Sequence, residues 1–262
     1  MNSFVSAFWA EQLKARRSRV MPLTAAGLLM LPLVDALFMV ILKDPARARA
    51  MGLIGTKAQL AAGTADWPTF FGILTQGTAI GGAIVFSIIT AWVFGREFSD
   101  RTAKELLALP TPRGIIIAAK FALTGLWTLA LALLVFVVGL GVGAAVKIPG
   151  WSPGLARTSF GALLTIALLD FMLLPFVALL ASWGRGYLPP MGWTFLTVFL
   201  AQIAAVLGWG DWFPWSVPAL FSGMAGPALS QLGLHSYLAV VLAFSIGLTG
   251  TFGWWRLADQ AQ

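Results

Sequence analysis

Six stretches of this chain, residues 20–42, 68–94, 115–146, 158–183, 190–207 and 236–255, are apolar over lengths that cross a bilayer. That removes most folds at once. In hydrocarbon every backbone N–H and C=O must be satisfied within the segment or by a closed barrel, and long uninterrupted apolar runs do this as helices. The chain therefore reads as all-α, a polytopic membrane protein with six transmembrane helices in a single domain. Composition agrees: 10% of residues are charged, against roughly 25% in soluble domains. Cys is absent, which excludes disulfides and thiolate chemistry. The net charge of +7 sits beside the apolar runs, where anionic lipid and the positive-inside bias account for it. No basic, aromatic-interleaved surface is left for nucleic acid.

Between the second and third runs lies the densest polar stretch, residues 95–113. It holds Arg96, Glu97, Asp100, Arg101, Lys104, Glu105 and Arg113. Glu97 with Arg101, Asp100 with Lys104 and Arg101 with Glu105 are spaced to share a helical face, each pair adding about 0.2–0.5 kcal/mol. Thr102 and Glu105 fit a capping box. Leu106, Leu107 and Leu109 give a short helix something to bury, and Pro110 and Pro112 stop it. A solvated interhelical loop is the plain alternative.

The order Gly-Arg-Glu-Phe-x-x-x-Thr-x-x-x-Leu-Leu-x-Leu-Pro-x-x-Arg resembles the connection after the second span in ABC transporter permeases of the type-two exporter family. The resemblance implies that Glu97, Arg101, Thr102, Lys104, Leu106, Leu107, Pro110 and Arg113 form a coupling segment that docks on an ABC ATPase subunit. Lys120 follows at the start of the next span. It further implies a second permease, identical or related, and ATP with Mg held by the partner ATPase, with no cofactor in this chain. The cargo it implies is amphipathic or hydrophobic: a drug, an antimicrobial peptide or a lipid-like molecule.

The remaining features fit around this frame. Residues 1–19 read as an interfacial helix, with Phe4–Phe8 and Val5–Trp9–Leu13 toward lipid and Glu11, Lys14 and Arg17 turned away. Charges follow the apolar stretch, so no cleaved signal is read. A short surface helix is expected around residues 45–60. Gly77-x-x-x-Gly81 and Gly139-x-x-x-Gly143 allow close helix approach, and the first could form a dimer seam. Residues 147–157 read as a turn region. Asp35 and Asp170 lie inside apolar runs and are candidates for the substrate path. Each has a structural reading too: Asp35 reaching water or a partner, Asp170 capping a carbonyl freed by Pro175. Residues 208–235, with Trp209, Trp212 and Trp215 and then Pro and Gly breaks, read as an outer re-entrant pair of short helices, and His235 as a solvated interface residue. Eleven of the 17 Lys and Arg fall on the side of the N-terminus, so both termini are expected in the cytoplasm of a cell-membrane protein.

The chain has no G-x-x-x-x-G-K-[ST] to cradle ATP, and its one His rules out a His-based metal cluster or a metalloprotease motif. The expected role is therefore transport, not enzymatic catalysis. A self-sufficient membrane protein, such as a scramblase, channel or assembly factor, is the alternative, although the paired broken helices of a secondary transporter are not evident.

Overall fold

The computed structural model describes residues 3–44, 64–107, 110–224 and 232–257, with the side chains of Lys104 and Leu107 outside that description. Among the described residues there are helices and turns but no strand. In order these are α1 (Ser3–Arg16), α2 (Val20–Lys43), α3 (Trp67–Ser99), α4 (Ala103–Leu107), α5 (Arg113–Val146), α6 (Pro153–Trp183) and α7 (Leu188–Val206). Two 3-10 turns, Gly210–Trp212 and Pro214–Ser216, lead into α8 (Val217–Phe221), and α9 spans Leu234–Leu257. Six of them, α2, α3, α5, α6, α7 and α9, are long and apolar enough to cross a membrane. The surface helix expected at 45–60, and residues 225–231 of the expected re-entrant pair, lie outside the described residues.

Local chemistry sets where the helices begin and end. The Asp66 carboxylate accepts from the Thr69 N–H at 2.9 Å, just ahead of Pro68. Ser152 does the same for Leu155 at 3.2 Å, with Pro153 in the first turn. That cap starts α6 earlier than its apolar run suggests and places Arg157 inside the helix, where a turn was expected. After α3, α5 and α6 the chain turns on basic residues with left-handed backbone: Arg101 (φ 59°), Lys147 (φ 57°) and Arg185 (φ 50°). At Arg101 and Arg185 the following N–H reaches back to Glu97 O (2.9 Å) and Ala181 O (3.1 Å), closing each helix end. The Lys43 ammonium donates to Val146 O and Lys147 O at 2.7 and 3.1 Å, which gives one cation of the basic first connection a capping role.

α3 and α6 are the most enclosed spans, and α9 lies along α6. Gly247 permits that approach: a Cβ there would sit 2.8 Å from the Phe176 nitrogen. One turn on, the Thr251 hydroxyl donates to Pro175 O at 3.2 Å. Gly247→Ala should separate α9 from α6 and cost about 1–3 kcal/mol, read as a lower thermal unfolding midpoint; an unchanged midpoint would refute the close packing.

The small-residue pairs serve contacts within this chain. Gly77 and Gly81 face Leu31 of α2, and Gly139 faces Leu74 of α3. Gly77 and Gly81 are thus already occupied, so they do not offer the dimer seam considered for them. A π-helical turn, Thr78–Gly82, interrupts α3.

α1 is oriented differently from the sequence expectation. Val5 and Trp9 do face outward, but Glu11 is buried and Lys14 half-buried against α3 and α5. The charges that should have turned toward water instead find partners inside the protein. At the other end of the bundle, His235 Nε2 lies 2.9 Å from the Asp211 carboxylate and its ring stacks on Trp212 at 4.4 Å. It is a tie between α9 and the first 3-10 turn, not a merely solvated side chain.

Candidate functional site

The polar stretch becomes a site because α3 does not stop where its apolar run does. The helix continues to Ser99, which puts Arg96 and Glu97 on its last turns. The left-handed Arg101 then ends it, so residues 97 and 101 do not share one helical face. The expected Glu97–Arg101 and Arg101–Glu105 pairs are not formed among the described residues. Nor is the capping box; the Thr102 carbonyl accepts from the Leu106 N–H at 3.1 Å, and the short α4 follows.

Glu97 is buried, 2% exposed, at the centre of an ion cluster. Its Oε1 lies 2.8 Å from the Lys120 ammonium, 3.3 Å from Lys14 and 3.4 Å from Arg96. Lys120 is fully buried and also donates to Val93 O at 2.6 Å and Glu11 Oε2 at 3.3 Å. Lys14 closes the ring with Glu11 at 2.6 Å. Two carboxylates and three cations thus fasten α1, the end of α3 and the start of α5 together. Arg96 also lies over the Trp92 ring at 4.8 Å. Buried charges tolerate such a place only when paired and hydrogen-bonded.

Above the cluster lies a groove of about 590 Å³ between α1, α3, α4 and α5. Glu11, Glu97, Asp100 and Glu105 line it, against Lys14 and Arg96, so its ionisable lining is acidic in a basic chain. Arg101, Glu105 and Pro110 are exposed, Thr102 and Leu106 half-buried. Arg113 turns the other way, donating to Trp255 O at 3.0 Å and tying α5 to the end of α9. Phe98 packs edge-on to Trp254 and Trp255 at 5.7 and 5.8 Å. Lys104 and Leu107 lie on α4, their side chains outside the described residues.

Sequence reasoning singled out Glu97 but not its partners Glu11 and Lys14, and it named Lys120 only by resemblance. The signal was present: Lys120 sits inside an apolar run, and such a charge requires a buried counter-charge. The candidates for the path lie elsewhere. Asp35 is buried on α2 with Oδ2 unpartnered among the described residues. Asp170 is buried on α6 and caps no carbonyl near Pro175, since neither of its oxygens has a hydrogen-bond partner there.

The model of the ABC-2 family transporter protein matches residues 7–201, from within α1 to within α7. The chain belongs to the ABC-2 transporter family. This ABC-2 transporter is also 28% identical over 179 residues to the bacitracin transport permease protein BCRB of Bacillus licheniformis, over 68% of this chain and 85% of that one. With six membrane-crossing helices it is a multi-pass membrane subunit of an ABC transporter, and membership implies an ABC ATPase partner. The ion cluster, Asp35 and Asp170 fall within the ABC-2 match, as does the lining of the groove apart from Ser6.

Proposed function

We propose that this ABC-2 subunit is the permease of an exporter driven by a separate ATPase that docks in the groove beside α4. The observation that supports this reading is the groove itself. There α1, α3, α4 and α5 meet around polar side chains near a buried ionic floor. In this reading the exposed Arg101, with Thr102, Lys104, Pro110 and the Leu106–Leu107 pair, meets the ATPase. Glu97 acts from beneath by holding α1 and α5 in place, so it positions the docking surface without touching the partner. ATP and Mg are held by the ATPase, whose closure is transmitted through α4 to the unit of α1, α3 and α5 that the cluster fastens together. Two permeases, identical or related, enclose the path, and both termini lie in the cytoplasm with α1 along the membrane surface. Asp35 and Asp170 remain the path candidates.

The cargo is amphipathic or hydrophobic. Because the B. licheniformis relative is named for bacitracin transport, a peptide antibiotic of that kind is the first cargo to test. Arg101→Glu should lower resistance and ATP-driven transport at least tenfold and strip the ATPase from the purified permease, while the unfolding midpoint stays as in wild type. Wild-type transport and co-purification by this variant would overturn the docking role.

A further inference from the structure

Asp170 is placed where a carboxylate needs company and finds none among the described residues. It is 2% exposed, and both of its oxygens lack a hydrogen-bond partner among the described residues. Glu11 and Glu97, the buried carboxylates of the α1 cluster, are paired with cations; Asp170 is not. It lines a cavity of about 30 Å³ between α3, α6 and α7. That volume holds one or two water-sized occupants.

The rest of the lining is suited to a cation. Ser87, Thr194 and Thr197 line the same cavity and are all buried. The Thr194 and Thr197 hydroxyls each spend their proton on a carbonyl of their own helix, Pro190 O and Trp193 O, both at 2.9 Å. Their oxygens are thereby left as acceptors. Asp170, Ser87, Thr194 and Thr197, contributed by three helices, therefore line a space the size of one small ion, beside the apolar Ala83, Leu173, Leu174, Val177 and Val198. Asp170 is the one titratable side chain in the lining among the described residues. A single carboxylate with hydroxyl oxygens matches a hard monovalent cation better than a divalent one, which favours more carboxylates. The Trp193 indole N–H, also unpartnered, can donate to a carboxylate oxygen or to a water of the ion's shell. On the α3 side the wall is Ala83 and Ser87, just past the π-helical turn, whose last residue comes close to the carboxylate: a Cβ on Gly82 would lie 3.4 Å from Asp170 Oδ2. Such turns recur at functional sites.

We propose that Asp170, Ser87, Thr194 and Thr197 form a binding site for one hard monovalent cation of the sodium class inside the helix bundle. The occupant ties α3, α6 and α7 together. The inference does not rest on the exporter reading and is tested without an ATPase.

The experiment uses the full chain, purified in lipid nanodiscs, with its thermal unfolding midpoint and tryptophan fluorescence read as choline chloride is replaced by NaCl at constant ionic strength. Trp193 and Trp215 line the cavity and provide the local signal. A saturable rise of several degrees, absent in Asp170→Asn, is the expected result for sodium. A parallel series from pH 8 to pH 5.5 in choline reads protonation of Asp170 itself: stabilisation there without a response to sodium means that the carboxyl carries its own proton and overturns the proposal. No dependence on sodium, lithium or potassium also overturns it, as does a response that survives in Asp170→Asn. Should that variant fail to accumulate, Ser87→Ala and Thr197→Val decide: each should raise the half-saturating cation concentration at least threefold, and unchanged values reject the site.

Discussion

Replacing Lys120 by Met will destabilise the protein by about 3–5 kcal/mol, because it strands buried carboxylates without their central cation. Glu97 loses a partner at 2.8 Å and Glu11 one at 3.3 Å, while Lys14 and Arg96 remain as more distant or more exposed substitutes. The measurement is the thermal unfolding midpoint of the purified chain in mild detergent. The diagnostic is the double variant. Lys120→Met with Glu97→Gln removes both members of the central pair and should recover at least half of the lost midpoint. A single variant as stable as wild type, or a double variant worse than the sum of the two singles, would show that the cluster does not hold α1, α3 and α5 together.

Trp255→Ala should cost about as much, roughly 3–5 kcal/mol, for a different reason. The ring is fully buried, and its N–H donates to the Ser182 hydroxyl at 2.9 Å, linking the end of α9 to the end of α6. Removing it opens a cavity under Phe98, beside the carbonyl that Arg113 holds. Trp255→Phe keeps most of the ring and loses the hydrogen bond, so it should cost only about 1 kcal/mol. Equal loss in the two variants would mean that the hydrogen bond, not the ring, carries the contact. If α9 anchors the coupling segment through Arg113, Trp255→Ala should also lower transport more than Trp255→Phe does.

The sequence and the structure meet most closely where the bilayer is the constraint. Six apolar runs imply six helices, and six are found. The Asp66 and Ser152 caps show how finer boundaries could have been read, since an Asp or Ser next to a Pro is itself a start signal. The polar segment was harder. The i,i+4 spacing from Glu97 to Arg101 looked like a pair, yet the left-handed turn at Arg101 separates them. A non-glycine residue in that conformation leaves little trace in sequence. The π-helical turn at Thr78–Gly82 leaves none that periodicity can catch over five residues.

What the sequence determined by itself was the class of protein and the location of its densest polar segment. Hydrocarbon forces backbone hydrogen bonds to close within each apolar run, so composition along the chain is enough. What only the tertiary structure decided was how the charges are used. Glu97 is paired through Oε1 with Lys120, 23 residues on, and Lys120 with Glu11, 109 residues back. Asp170 instead shares a cavity with Ser87 of α3 and with Thr194 and Thr197 of α7. Helical periodicity reports neighbours on one helix, whereas the cost of a buried charge is set by whatever groups other helices bring beside it.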